Sequence, residues 1–421
     1  MASSDQRSIH VLLVPFPVHQ GHINPLLQFG KRLASHSGVR CTLAATRFVV
    51  NSTKPTPSSV HVAVFSDGCD GGGRDELGGV GAPYFEQLES AGSKTLDELL
   101  RSESELGRPR GAAGAAFLTQ TCAVDILYVH AWAGRLPPPP LLQPEVIRGL
   151  DRLSCQLEMS DMPTFLADTS YHPSFRKLLV NQFLGLDTAD HVLVNSFYDL
   201  EPQEADYLAS TWRDKMVGPT IPSAFLDNRL PDDVSYGIHL HTPMIMESKA
   251  WLDAQKVQSV LYVSFGSMAS LDPDQMSEIA EGLYNSGKQA ILLPKDFADK
   301  AKVRGFIVPW CPQLEVLAHP SVGCFMTHCG WNSTVEALSA GVPMVAMPNW
   351  SDQTTNAKYI QDVWRVAVRV WPDAKGVVRS EEVEQRACGT RSSGRGSREI
   401  IERGSSSAGA MGRDGRTRST G

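Results

Sequence analysis

Short apolar runs alternate with amphipathic segments along the first half of the chain. Ile9 to Phe16 is a continuous apolar run, which is typical of a strand buried on both faces of a parallel sheet. The apolar residues of 26–33 then recur at helical spacing, and Val39 to Ala45 predicts the next strand. This strand–helix–strand unit predicts a parallel sheet. The other elements predicted here are strands at Val60 to Phe65, Ala115 to Thr119 and His191 to Ser196, and an amphipathic helix at Tyr84 to Ser102.

The same alternation restarts after Val217 to Pro243, a stretch rich in Pro, Gly and Asp that we interpret as a linker. Val260 to Phe265 predicts a strand and Asp274 to Ser286 a helix. The later predicted strands are Gln289 to Leu293, Gly305 to Val308, Val322 to Thr327, Pro343 to Met347 and Val366 to Val370. The fold class predicted is therefore α/β, with two Rossmann-like, doubly wound domains. Such domains bind ligands beyond the carboxyl ends of their strands, so a cleft between them is expected to hold the active site.

The predicted domains are 1–216, a linker at 217–243, a second domain at 244–384, and a tail at 385–421. The tail contains eight Gly, seven Ser and eight Arg and almost no large apolar residue, which predicts disorder. An RNA-binding role for Arg391 to Arg398 is a less favoured alternative to an altered reading frame or exon.

Composition narrows the class of protein. The 421 residues carry a net charge of -7, with +5 in the tail and -12 in the rest, so general nucleic-acid binding is not expected. The eight cysteines form no CxxC pair, which argues against zinc ribbons and redox dithiols and fits a reducing compartment. The polar start and the lack of 18 consecutive apolar residues predict neither a signal peptide nor a membrane span. A cytoplasmic protein is predicted.

Residues 310–353 carry the densest chemistry. The strand Val322 to Thr327 runs through His328, Cys329 and Gly330 into a helix, and Gly330 allows a ligand to approach the backbone. The free N–H groups at a helix N-terminus favour an anion such as a diphosphate. The side chains of His328, Asn332 and Ser333 add hydrogen-bond donors.

Other residues of this segment suit a nucleoside and a sugar. Glu336 lies one helical turn beyond Ser333, where its carboxylate could accept hydrogen bonds from both ribose hydroxyls. Trp310 offers a flat face on which a base could stack. Asp352 and Gln353 follow the next strand and could bind vicinal sugar hydroxyls.

Each of these residues also has a purely structural interpretation. Ser333 and Glu336 could form a capping box, Trp310 could be a core residue, and Asp352 could cap the following helix. Asp272-Pro-Asp274 matches a DxD metal motif, but we interpret it as a helix N-cap and predict no metal site.

Taken together and in order, these 44 residues resemble the signature box of the plant family-1 UDP-glycosyltransferases. That family binds UDP-sugars in the second domain of a GT-B fold, and the resemblance covers most of residues 8–384. It implies transfer of a sugar from UDP-glucose, acting as donor substrate, to a small lipophilic plant metabolite. It also implies that no cofactor or metal is needed and that the protein is a monomer.

The resemblance implies a role for each conspicuous residue of the box. The uridine contacts that it implies are Trp310, the Cys311 backbone, Gln313 and Glu336. The diphosphate contacts that it implies are His328, the Trp331 backbone, Asn332, Ser333 and, outside the box, Ser267. The sugar contacts that it implies are Asp352, Gln353 and Thr119, with Gln353 matching the glucose-preferring form.

His22, in Gln20-Gly-His22, matches the general base of the family. A histidine near its ordinary pKa can take the acceptor proton during attack on the anomeric carbon, with inversion. The structural alternative is a histidine that caps the helix, and His19 ranks well below His22 as the base.

The sequence departs from the family between 106 and 115. Family members have a strand ending in Tyr-Asp, then a helix, before the segment that matches Ala115 to Thr119, and that Asp orients the catalytic histidine. Here the strand, helix and Asp are predicted to be missing, and Asp125 is a weak substitute. A smaller loss is predicted near Lys288 to Pro294, and the tail replaces the family's last helices.

Two functions therefore stay open: a UDP-glucose-dependent glycosyltransferase, and a nucleotide-sugar-binding remnant without turnover. Low stability is predicted in both cases. Any activity is expected to favour carboxylic acids over phenols, and Ser66 to Gly73 gives a weak cue toward ester-forming members of the family. An NAD-dependent oxidoreductase and a GxSxG hydrolase are disfavoured because their motifs are absent from the sequence.

Overall fold

The computed structural model describes residues 9–17, 19–53, 55, 57–105, 113–138, 147, 149–150, 152–168, 173–267, 271–292 and 305–389. Its contacts divide the chain into two compact units. The first unit comprises Met1–Thr119, His172–Asn195 and Val217–His241, and the second Gln120–Tyr171, Ser196–Met216 and Thr242–Gly421. This grouping differs from the predicted domain ranges, because the chain passes between the units several times.

The strands are β1 (Ile9–Leu13), β2 (Val39–Thr46), β3 (Val60–Phe65), β4 (Ala115–Leu118), β5 (His191–Val194), β6 (Lys215–Met216), β7 (Val260–Ser264), β8 (Gln289–Leu292), β9 (Gly305–Ile307), β10 (Val322–Thr327), β11 (Met344–Ala346) and β12 (Ala367–Arg369). The helices are α1 (Gln20–Ala34), α2 (Arg47–Thr53), α3 (Ala82–Gln87), α4 (Ser93–Glu105), α5 (Cys122–Trp132), α6 (Thr164–Ala167), α7 (Pro173–Asn181), α8 (Pro202–Trp212), α9 (Ile245–Asp253), α10 (Pro273–Asn285), α11 (Gln313–Ala318), α12 (Trp331–Ala340), α13 (Gln353–Lys358) and α14 (Ser380–Gly389). The predicted strands and the helix near 84–102 are confirmed within a few residues.

The first unit has two separate groups of parallel strands. β1, β2 and β3 form a three-stranded sheet with β1 at one edge, and Ile9 lies opposite Val39. β4 pairs with β5, with Ala115 opposite His191. Only residues 106–114 separate α4 from β4, and residues 106–112 lie outside the described chain. A further parallel strand with its crossover helix would need a longer connection than this one. Among the described residues, no strand pairs with both β1 and β4.

The core of the first unit lies between α1 and the β1–β3 sheet, and includes Ile23, Leu27 and Leu43. The predicted linker contributes to the same unit. Lys31 of α1, which is buried, donates from Nζ to Asp233 Oδ1 at 2.7 Å, and Ile238 is buried in the core cluster. Most of the predicted linker is therefore packed structure, because its apolar and acidic residues match the outer face of α1.

The second unit has one continuous sheet. Its six strands lie in the order β12-β11-β10-β7-β8-β9, and all neighbours are parallel. β7 and β10 are the central strands, and all five residues of β7 are buried. The core includes Leu261, Val263, Met326 and Val345. Continuous apolar strands are therefore covered on both faces, as the sequence predicted.

The predicted disordered tail begins too early. α14 continues to Gly389, and within it Val383 and Ala387 are fully buried in the core of the second unit. A Cβ at Gly282 of α10 would lie 2.4 Å from the Ser380 carbonyl oxygen, so the missing side chain allows the close packing. Residues 390–421, the rest of the predicted tail, lie outside the described residues.

The helices are short. The longest α-helix, α1, has 15 residues, and none of the helices in the described chain has the length and apolar character of a bilayer-spanning segment.

Candidate active site

The N-terminus of α12 forms the centre of the site in the second unit. Gly330 is the N-cap residue in an extended conformation, no side chain caps the helix, and Trp331 is the first helical residue. Ser333 and Glu336 lie inside the helix, so the capping-box alternative is wrong. No side-chain cap therefore occupies the N-terminus of α12 at the carboxyl end of β10, and a helix N-terminus favours an anion.

Gln313 of α11 joins the predicted uridine and phosphate contacts. Its Nε2 donates to Ser333 Oγ at 2.9 Å and to Glu336 Oε2 at 2.6 Å, while its Oε1 accepts from the Tyr262 hydroxyl at 3.0 Å. Glu336 is only 5% exposed. Sequence reasoning missed Tyr262, which is a buried residue of β7 and resembled any core aromatic.

Trp310 and Cys311 lie in the loop between β9 and α11. The Trp310 carbonyl accepts from the Met244 N–H at 2.9 Å, which holds the loop against the start of α9. Trp310 is half-buried, so the core-residue alternative is not supported. Cys311 is buried, and burial raises the pKa of its thiol to about 12, so the thiol stays neutral.

His328 lies between two glycines. A Cβ on Gly266 would lie 2.6 Å from His328 Nε2, and one on Gly330 would lie 2.5 Å from it. Gly266 also has a φ of +80°, which disfavours any other residue. Burial lowers the pKa of His328 to about 4, against a hydrogen bond with the Ser264 backbone that raises it. His328 is therefore neutral at pH 7, with a single ring N–H. Ser267, which follows Gly266, is exposed.

Asp352 and Gln353 mark the start of α13. Asp352 makes no side-chain capping bond to the helix, so the capping alternative is wrong, and its Oδ2 accepts from Asn356 Nδ2 at 2.7 Å. Gln353 Oε1 accepts from the N–H groups of Asn349 and Trp350, each at 3.0 Å. These bonds orient the Gln353 amide nitrogen as a donor for a ligand.

Asn356 is a further residue that sequence reasoning missed. It is fully buried, and its Nδ2 donates to the Cys329 carbonyl at 2.9 Å as well as to Asp352. The Thr121 hydroxyl donates to Asn356 Oδ1 at 3.2 Å. Asn356 thus links the loop before α12 to the predicted sugar contact. Its position inside a helix, beyond the box, gave no signal.

His22 lies in the first turn of α1 in the first unit. His19 is the N-cap residue and makes no side-chain capping bond, so the helix-cap alternative for His22 is wrong. His22 Nδ1 lies 3.0 Å from Thr119 Oγ1, at the end of β4, and the ring meets Phe16 edge-on at 5.6 Å. Burial lowers the pKa of His22 to about 4, which leaves the imidazole neutral at pH 7.

Phe16 and His19 are the ring neighbours of His22, and each of them has a further contact. Phe16 lies 6.3 Å from Phe85, and Phe85 lies 5.5 Å from Phe175, measured between ring centroids. Arg74 Nη1 lies 3.2 Å from His19 Nδ1. Burial, His22 and Arg74 together lower the pKa of His19 to about 3. Sequence reasoning missed this group because its members are far apart along the chain.

Asp272 and Asp125 are the other two acidic residues that the sequence brought into question. Asp272 Oδ1 accepts from the Gln275 N–H at 2.9 Å, which confirms the predicted N-cap. Asp125 is fully buried in α5 of the second unit, and burial raises the pKa of its carboxyl well above the ordinary value. In the part of the chain that the structure describes, no group of three or more His, Cys, Asp and Glu could hold a metal ion.

Comparisons with known proteins agree with this geometry. Residues 221–373 match the family described as UDP-glucoronosyl and UDP-glucosyl transferase. The chain is 45% identical to UDP-glucosyltransferase UGT13248 of Hordeum vulgare subsp. vulgare, covering 89% of this chain and 84% of that protein.

Solved structures also resemble the chain. Os79 of O. sativa in complex with UDP is 41% identical, with a TM-score of 0.89, covering 94% of this chain and 95% of the other. Os79 in complex with U2F and trichothecene is 40% identical, with a TM-score of 0.84 and the same coverage. The family match at residues 221–373 includes the box at 310–353. The chain belongs to the plant family-1 UDP-glycosyltransferases, enzymes of the GT-B fold that use UDP-sugars as donors.

Proposed function

We propose that this enzyme transfers glucose from UDP-glucose to a hydroxyl or carboxyl of a small lipophilic plant metabolite. His22 acts as general base, and the anomeric configuration inverts. The observation that carries the proposal is the pairing of an uncapped α12 N-terminus, beside the Gln313–Ser333–Glu336 group, with a neutral histidine at the start of α1.

The donor side rests on the second unit. We expect Trp310 to stack on uracil and Glu336 to accept the ribose hydroxyls, with the diphosphate at the α12 N-terminus. The diphosphate donors would be His328, Ser267, Asn332, Ser333 and the Trp331 backbone. We expect the Gln353 amide nitrogen to donate to a sugar hydroxyl, because the amide oxygen is held by the Asn349 and Trp350 N–H groups, and we expect Asp352 to bind the same sugar.

The proposed chemical step uses one group from each unit. His22 Nε2 takes the proton of an acceptor hydroxyl while that oxygen forms a bond to the anomeric carbon. The bond between that carbon and the β-phosphate oxygen breaks at the same time, and UDP leaves from the opposite face. The donors at α12 stabilise the negative charge on the departing diphosphate.

The acceptor side rests on the first unit. The half-buried ring of Phe16 lies beside His22, Phe85 lies next to Phe16, and Phe175 lies next to Phe85. Such a row of rings suits a flat, apolar acceptor. The Os79 complex that contains a trichothecene supports a small lipophilic molecule as acceptor. A carboxylate acceptor would also meet the positive charge of Arg74.

Carboxylic acids are the acceptors that we expect to react fastest. A carboxylic acid with a pKa near 4 arrives ionised at pH 7 and needs no base. A phenol must lose its proton to His22, whose partner is the hydroxyl of Thr119 rather than a carboxylate. The test is turnover of one aromatic acid against the matching phenol with UDP-glucose. Equal rates, or a faster phenol, would contradict this preference.

The alternative is a nucleotide-sugar-binding protein without turnover, which the separated β1–β3 and β4–β5 groups favour. Calorimetry with UDP and turnover with an acceptor panel distinguish the two functions. Binding with turnover supports the enzyme, and binding without turnover on any phenol or acid supports the alternative. Absence of UDP binding by folded protein contradicts both.

A further inference from the structure

We propose that Thr119 is a positioning residue that orients the His22 ring and sets the balance between its two tautomers. This inference rests on the proposed role of His22 as general base. The two residues are 97 positions apart in the sequence, and their side chains meet at 3.0 Å between His22 Nδ1 and Thr119 Oγ1. Both belong to the first unit, with His22 on α1 and Thr119 directly after β4.

A hydroxyl is an ambiguous partner for an imidazole. It can accept from Nδ1–H, which leaves Nε2 unprotonated and basic, or it can donate to Nδ1, which places the proton on Nε2. Only the first arrangement provides a base at Nε2. A carboxylate can only accept, so it would hold the productive tautomer at all times. Thr119 therefore keeps His22 in the correct orientation while leaving its tautomer partly undecided.

The hydroxyl also provides no charge. When His22 takes a proton from an acceptor, the resulting imidazolium is stabilised by a dipole and not by a carboxylate. Burial disfavours the imidazolium further, and the neighbouring rings of Phe16 and His19 lie 5.6 and 6.1 Å from His22 between ring centroids. Thr119 thus sets the strength of the base as well as its orientation.

Four substitutions separate these effects. Thr119→Val removes the hydrogen bond with little change of shape, and Thr119→Ser retains it. Thr119→Asp supplies a charged acceptor, and Thr119→Asn is its uncharged control of equal size. With a phenol acceptor we expect Thr119→Val to lower kcat by about tenfold to a hundredfold, and Thr119→Ser to stay close to the unsubstituted protein. UDP affinity and Tm should remain unchanged in both.

The acceptor distinguishes positioning from a direct contact with the sugar. A sugar contact would be lost for every acceptor, so Thr119→Val would slow the acid and the phenol alike. Loss of positioning slows only the phenol, because a carboxylate needs no base. Equal loss on both acceptors overturns the positioning role.

The pH profile provides the readout that structural damage would not move. An opposite charge beside His22 should shift the acid limb of kcat/KM upward by about 1–3 pH units in Thr119→Asp. Thr119→Asn should leave that limb in place. Coincident limbs for the Asp and Asn variants overturn the proposal.

A measurement without substrate keeps the result separate from the proposed function. In ¹⁵N-histidine-labelled protein, the His22 signals are assigned by their loss in His22→Gln, and their chemical shifts report the tautomer. We expect both tautomers in the unsubstituted chain, and mainly the Nδ1–H form in Thr119→Asp. A single tautomer that Thr119→Val does not change overturns the inference. If the protein turned over no acceptor, the proposed function would be refuted. The effect of Thr119 on the His22 tautomer would still be tested, because this spectrum needs no turnover.

Discussion

The two units differ in how their parallel strands are arranged into sheets. In the second unit, six parallel strands form one sheet, and β7 and β10 have a neighbour on each side. In the first unit, β1 and β4 each end a group of strands. An edge strand lacks half of its possible sheet hydrogen bonds, so its position depends more on side-chain packing. The comparison predicts a robust donor site and a base whose position depends on a few side chains.

The largest expected effect concerns the base itself. We expect His22→Gln to lower kcat with a phenol by about 10²–10⁴-fold, because general-base assistance is lost. UDP affinity should not change, since His22 belongs to the other unit. Steady-state kinetics and calorimetry on the same preparations check both statements. A weaker UDP affinity in this variant would show that the two units do not act separately.

A matched pair of core leucines tests the packing difference. Leu43 of β2 and Leu261 of β7 are both fully buried. Leu→Ala in a core costs about 2.7–5 kcal/mol, more where the cavity cannot collapse. We expect Leu43→Ala near the lower limit and Leu261→Ala near the upper limit, because a three-stranded sheet relaxes more easily.

The chain offers separate probes for this pair. All eight tryptophans lie in the second unit, so their fluorescence reports that unit, whereas far-UV circular dichroism reports both. As the urea concentration rises, we expect the dichroism signal to begin changing before the tryptophan fluorescence does. Leu43→Ala should move only the early part of the dichroism transition to lower urea concentration. Coincident curves for both probes in both variants would contradict the comparison.

The donor site gives a smaller effect. We expect Glu336→Ala to weaken UDP binding by about 1–3 kcal/mol through lost hydrogen bonds to the ribose. Glu281→Ala is the control, because Glu281 is an exposed carboxylate of α10 in the same unit. Calorimetry with UDP measures both variants. Equal affinities would remove Glu336 from the site.

The smallest effect is an opposite pH dependence of the two units. In the second unit, burial raises the pKa of Glu201 to about 7 and that of Asp125 well above its ordinary value. The folded unit holds these protons more tightly than the unfolded chain, so its stability falls as the pH rises from 6.5 to 8. In the first unit, the pKa values of His19 and His22 are lowered to about 3 and about 4. There the unfolded chain binds protons more tightly below pH 6.5, so stability is lost as the pH falls toward 4.

The two optical probes should therefore separate with pH. The free energy of unfolding from tryptophan fluorescence should decrease between pH 6.5 and 8, and Asp125→Asn should flatten that slope. Below pH 6.5 the dichroism transition should move to lower urea concentration. In the second unit, protonation of His328, whose pKa is about 4, also lowers the stability as the pH falls below 6.5. The test of this unit therefore uses the range from pH 6.5 to 8. A fluorescence midpoint that does not change from pH 6.5 to 8 would contradict this prediction.

The sequence by itself determined the elements and the donor site. Strands such as Val60–Phe65 and Val322–Thr327 match their predicted bounds, because a continuous apolar run has few alternatives in a parallel sheet. The predicted phosphate contacts from His328 to Ser333 are close in sequence around one helix terminus, so local geometry brings them together, whereas Ser267 comes from a separate segment. Ser333 and Glu336 also share one face of α12, and Gln313 contacts both.

Tertiary structure alone decided what surrounds His22, the proposed base. The contact between His22 and Thr119, the rings of Phe16, Phe85 and Phe175, and the packing of 217–241 on α1 all join distant segments. No local pattern reports which segments meet, because packing depends on the shapes and charges of several elements at once. The same reason explains the wrong start of the tail. Val383 packs beside Gly282, and Ala387, which lies inside the predicted tail, is buried in the same core cluster. The composition of this segment alone does not reveal that packing.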